Sequence, residues 1–155
     1  MDPIDALVVE HEAALRELER LRVAATRLDQ PGALADFEGA LRFLETEIRA
    51  HNQWEEDHLF PKLELYFGPH GPCVVMRAEH RQLWDLYAHV GPLLDAVKGG
   101  TASAEEGAQL ARVASSIVDL LVQHIAKENQ ILFPMAKQML RPDDLEAMRA
   151  ARPEA

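Results

Sequence analysis

The chain has 155 residues, 48% of them hydrophobic, and a formal net charge of −10, which together read as one folded domain over residues 1–155 with a sizeable core. That acidic balance speaks against a nucleic-acid or anionic-membrane partner, because both call for clustered cations. A lone cysteine, Cys73, excludes an internal disulfide, no apolar run approaches ~20 residues, and Met1-Asp2-Pro3-Ile4-Asp5 lacks the basic and apolar regions of a signal peptide, so a cytoplasmic location is expected.

The helical period dominates from the start. Ile4, Leu7, Val8, His11, Leu15, Leu18 and Ala25 recur at three- and four-residue steps and predict a first helix. Asp2 or Asp5 suits its cap, Pro3 fits its first turn, and Pro31-Gly32 ends it. A second helix is expected over about 34–67, with Phe37, Leu41, Leu44, Ile48, His51, Glu55 and Leu59 inward. Pro61 lies inside it and marks a kink or local irregularity. Gly68-Pro69-His70-Gly71-Pro72 is the strongest loop signal. A third helix follows over about 72–98, bent or broken by Gly91-Pro92. After Gly99-Gly100-Thr101, Ser103 and Glu106 form the pattern of a capping box. A fourth helix then runs over about 104–140, with Leu110, Val113, Ile117, Leu120, Leu121, His124, Glu128 and Leu132 along its seam. Pro142 stops it, and Asp143 is placed to cap a short tail helix to about residue 151. Four amphipathic helices with short connections predict an all-α, up-down-up-down antiparallel bundle over about 4–140, with a short C-terminal helix.

The chain also repeats itself. His51 to Pro61 and His124 to Pro134 both read H-x-x-x-E-x-x-x-L-F-P, and Glu10-His11 and Glu79-His80 precede the two copies. A His and a Glu four apart stand on one helix face about 6 Å apart, close enough to reach one cation. Two such helices, each facing a helix that supplies another His, give four imidazoles and two carboxylates, all at positions the apolar period marks as inward. Carboxylates in a bundle core are costly unless a cation compensates them. This donor set suits a carboxylate-bridged two-metal site, with iron favoured and manganese or zinc as substitutes.

The pattern resembles the hemerythrin-like, HHE cation-binding family, over about residues 4–140. The resemblance implies that His11, His51, Glu55, His80, His124 and Glu128 ligate a non-haem di-iron centre, with an oxo or hydroxo bridge between the ions. Oxygen-carrying hemerythrins have a fifth His one turn after the third-helix His, where this chain has Trp84, and an HxxxxD in the last helix, where it has HxxxE. The chain is thus similar to the symmetric four-His, two-Glu members. These are associated with hydrogen peroxide, O2 or NO chemistry, or with iron supply and repair. The expected roles are an oxidative or nitrosative stress-response or iron-homeostasis protein with catalase-like, ferroxidase-like or NO-reacting activity. The rival readings are a non-enzymatic sensor acting through a protein partner, an iron or oxygen reservoir, and an oxidase of an organic substrate.

Other residues carry weaker signals. His58, three after Glu55, replaces Ile131 of the second repeat, an inward position, and reads as a proton relay, a gate or an extra ligand beside the site. Tyr87 shares the ligand face of His80, although packing is its simpler role, and Trp54 and Trp84 are placed to shield the cavity. Glu10 and Glu79 point about 100° away from their neighbouring His and read as outer supports or surface groups. Glu56 and Asp57 read as solvated neighbours of Glu55, His70 and His89 as solvent-facing, and Cys73 as a small buried filler.

Overall fold

The computed structural model describes residues 1–152, so the last three residues of the domain expected over 1–155 lie outside the described residues. Four long helices form the bundle: α1 (Pro3–Ala25), α2 (33–67), α3 (73–98) and α4 (104–139). A tail helix, α5 (Pro142–Ala150), follows. α1 packs against α2 and α4, and α3 packs against α4 and the end of α2, which gives the expected antiparallel arrangement. α5 lies against α1.

The helix ends follow the sequence closely. Asp2 caps α1 by accepting from the Ile4 N–H at 2.7 Å, and Ser103 and Glu106 form a reciprocal capping box on α4. Gly68, at φ 77°, lets the chain leave α2 through a conformation that a side chain would resist. The tail departs from expectation, because Asp144 rather than Asp143 accepts the Arg141 N–H, at 3.0 Å. The α3 break falls at His89, ahead of Gly91-Pro92. Pro92 has no N–H for the carbonyl of Ala88 and its ring crowds it, so the irregularity appears one turn upstream.

Three short π-helical segments widen the helices: Leu44–Ile48, Glu55–Leu59 and Glu128–Leu132. The last two begin at the two repeated glutamates and end just before Phe-Pro. There the N–H of Phe60 bonds the carbonyl of Glu55, and that of Phe133 bonds the carbonyl of Glu128, five residues back. Pro61 and Pro134 cannot donate the next α-helical bond, so each helix takes up the defect as a wide turn. The irregularity expected at Pro61 is therefore a π turn at the site itself.

The core is divided. One apolar cluster gathers Leu18, Leu21, Phe37, Leu41, Leu83, Leu110, Ile117 and their neighbours, and the other gathers Ile4, Leu7, Leu59, Phe60, Leu63, Leu132, Phe133 and Met148. The buried histidines and glutamates belong to neither and occupy the layer between them. Leu15 was expected inward but is 38% exposed, and Ala14 fills the core position instead.

Candidate metal centre

α1 supplies His11, α2 supplies His51 and Glu55, α3 supplies His80, and α4 supplies His124 and Glu128. All six are buried, both glutamates completely. The structure therefore brings together all six residues singled out by the repeat. Their donor atoms form two groups, His11, His51, Glu55 and Glu128 in one and Glu55, His80 and His124 in the other, so Glu55 belongs to both.

The spacing is that of ligands around a cation. His11 Nε2 lies 3.1 Å from His51 Nε2 and 3.1 Å from Glu128 Oε1. His80 Nε2 lies 3.3 Å from Glu55 Oε1, and His124 Nε2 lies 3.2 Å from Glu128 Oε1. Glu55 Oε1 is also 3.6 Å from His51 Nε2. Two donors each about 2.1 Å from one ion and at right angles to each other sit about 3 Å apart.

An outer layer fixes which nitrogen faces inward. Nδ1 of His51 hydrogen-bonds Glu10 at 2.9 Å, that of His124 hydrogen-bonds Glu79 at 2.9 Å, that of His80 hydrogen-bonds Glu56 at 3.0 Å, and that of His11 hydrogen-bonds Asn129 at 2.7 Å. These acceptors favour a proton on Nδ1, so that each imidazole, when neutral, aims its Nε2 lone pair at the centre, the usual support for a metal-bound imidazole. The lone pairs of His11 and His51 then face one another across 3.1 Å, an arrangement that a cation relieves. Both oxygens of Glu55 and of Glu128, together with Nε2 of His80 and of His124, are buried without a well-formed hydrogen bond. Such groups are expensive to bury unpaired, and here they converge on one place.

The electrostatics agree. Burial, reinforced by the neighbouring Glu128 charge, pushes Glu55 well above the usual carboxylate range. Burial also opposes ionisation of Glu128, but the polar groups of Glu55, His11 and His124 gathered around it outweigh that and hold the carboxyl well below the usual range. The two acids thus shift in opposite directions, as close buried carboxylates do. Bound cations would let both ionise. The His/Glu clusters fit a metal site.

The Leu-Phe-Pro of each repeat also has a role. Phe60 stacks on His80 at 5.6 Å between ring centroids, and Phe133 stacks on His11 at 5.3 Å. Each repeat therefore closes over a histidine of the other hairpin's first helix, α3 for Phe60 and α1 for Phe133.

Several expectations need correction. Ile131 is 57% exposed, so it is not the inward counterpart that made His58 stand out. The π turn shifts the helical phase after Glu128, and the α-helical register mislocates the positions that follow. His58 itself is half-buried, tilts against Trp54 at 5.5 Å between ring centroids, and belongs to neither donor group. Tyr87 bonds Glu45 at 3.1 Å, away from the centre. Glu56 is more than a solvated neighbour, since it holds His80. Asn129 was missed entirely; its position directly after Glu128, matching Glu56 after Glu55, was the available signal.

Comparison with protein families matches residues 2–136 to the Hemerythrin HHE cation binding domain. The chain is 28% identical over 148 residues to the Iron-sulfur cluster repair protein YtfE of Escherichia coli O157:H7, covering 86% of this chain and 64% of that protein. It is likewise 28% identical over 150 residues to the protein of the same name from Salmonella newport (strain SL254), covering 87% and 65%. The chain thus spans a little under two thirds of the length of these relatives. No helix among the described residues is long and apolar enough to cross a membrane. The chain belongs to the hemerythrin HHE cation-binding domain family.

Proposed function

We propose that His11, His51, Glu55, His80, His124 and Glu128 hold two iron ions, and that the chain is a di-iron protein of oxidative or nitrosative stress response that binds or turns over a small oxidant. The observation that carries this reading is the pair of donor groups joined through Glu55. A carboxylate common to two groups is what two adjacent cations need, and imidazole with carboxylate suits iron. Iron so held would supply electrons and open coordination positions to H2O2, O2 or NO. The protein's own part is to orient the imidazoles through their Nδ1 acceptors and to exclude water with the apolar layers above and below. Trp84, where oxygen carriers have a further histidine, leaves one ion with fewer protein ligands, which favours reaction over simple carriage.

The names of the relatives favour a second reading, in which the chain supplies iron for the repair of iron–sulfur clusters. Steady consumption of added hydrogen peroxide, lost in His124→Ala, is expected for the first reading. Stable iron content with no consumption of peroxide, O2 or NO would overturn it. Transfer of iron to an apo iron–sulfur acceptor would then support the second.

A further inference from the structure

The repeat gives each outer carboxylate a cation, but the two halves obtain it differently. Glu79, which holds His124, pairs through its other oxygen with Lys127 at 2.5 Å, a residue of the same helix as His124. Glu10, which holds His51 through Oε1, accepts from Arg152 Nη2 through Oε2 at 2.6 Å. Arg152 lies beyond the bundle, just after α5, and its guanidinium sits 4.8 Å from the centroid of the Trp54 ring.

That guanidinium also lines a cavity beside His51. A space of about 220 Å³ is bounded by Glu10, Glu47, Ala50, His51, Trp54 and Arg152. A second, of about 260 Å³, shares Glu10, Glu47 and His51 with it. Both reach a histidine of the His11/His51 donor group. Their carboxylates, on a chain of net charge −10, favour a cation over an anion in this space.

Resting on the two-metal reading, we propose that Arg152 is a positioning residue and a removable plug: through Glu10 it holds His51, and it closes the cavity by which a divalent cation reaches or leaves the His11/His51 position. The His80/His124 position has its corresponding clamp, Glu79 with Lys127, built into the bundle. Removing the Arg152 guanidinium therefore acts on one ion and leaves the other.

The test is the rate at which the iron-loaded, reduced full chain yields iron to a ferrous chelator. Iron content is measured first, in the unaltered chain and in Arg152→Ala, Arg152→Lys and Arg149→Ala. Arg149 lies on the same tail and pairs with Glu146 and the Met1 carbonyl, outside the cavity. In Arg152→Ala, half the iron is expected to leave about tenfold faster, the scale on which outer supports act, and half at the original rate. Arg152→Lys, which keeps a charge for Glu10, is expected to fall between, and Arg149→Ala to match the unaltered chain. An unchanged rate in Arg152→Ala, equal acceleration of both ions, or equal acceleration by Arg149→Ala overturns the plug while leaving the metal centre standing. A chain that does not take up two irons overturns the metal reading, and the plug with it.

Discussion

His11 Nδ1 is bonded to Asn129 Oδ1 at 2.7 Å, linking residues 118 positions apart. In the other half the equivalent histidine, His80, is bonded to the carboxylate of Glu56. The candidate centre is thus symmetric in its inner histidines and glutamates and asymmetric around them. An anionic acceptor makes an imidazole a better donor to a metal than a neutral amide does. Asn129→Asp is therefore expected to tighten metal binding, and Asn129→Ala to weaken it by about 10–100-fold. Competition titration against a chelator measures both, and an unchanged affinity in Asn129→Ala would contradict the role assigned to Asn129.

Glu55 is fully buried and raised by that burial and by Glu128, so in the metal-free chain it is a liability. Glu55→Leu is expected to stabilise the metal-free chain by about 1–3 kcal/mol, because apolar packing replaces a buried carboxyl that has no well-formed hydrogen bond. The same variant is expected to lose the second ion. Denaturant unfolding and metal content together check this, and a less stable metal-free variant would contradict it.

Burial opposes the charge on His124, yet Glu128, Glu55 and Glu79 outweigh it and push the imidazole up to about 9. Its value in the unfolded chain is about 6.5. The folded value is the higher, so the imidazolium contributes stability that is complete below about pH 6.5 and lost as pH rises through about 9. The metal-free chain is expected to weaken across that window. A metal-loaded chain, in which His124 would be a neutral ligand, would lack this contribution while the metal stays bound. Thermal unfolding of the metal-free chain at pH 6 and 9.5 decides it, and equal midpoints would contradict the assignment.

Phe133 stacks nearly parallel to His11, at 12° between planes, and is 2% exposed. Phe133→Ala removes both the core filling and the support of that ring, and is expected to cost about 3–5 kcal/mol. A loss below about 1 kcal/mol by denaturant unfolding would show that the ring is not held by this contact.

The Cys73 thiol is pushed up to about 12, chiefly by burial and then by Glu64. Thiolate is the reactive form, so the folded chain is expected to resist alkylation at pH 8 and to react once unfolded. Rapid labelling of the native chain would overturn its reading as a buried filler.

The sequence exposes the bundle and its candidate ligands for one reason: both depend on short-range periodicity. His51 with Glu55, and His124 with Glu128, lie within one helical turn, and the duplication displays each pair twice. What it conceals depends on phase or on long-range contact. Ile131 falls on the inner face of a continuous α-helix and on the outer face once a π turn intervenes. Asn129 and Glu56 acquire their roles only when distant helices meet. Arg152 follows the last predicted helix, and nothing local marks it as a neighbour of Glu10.

The most direct test of the centre is metal stoichiometry with the optical spectrum of chain purified from iron-replete cells, beside Glu55→Ala prepared alike. Two irons per chain with near-ultraviolet absorption of an oxo-bridged ferric pair, and loss of that absorption in Glu55→Ala, are the expected result. One ion per chain, a redox-inert metal, or an undisturbed spectrum in the variant would contradict a shared two-iron centre.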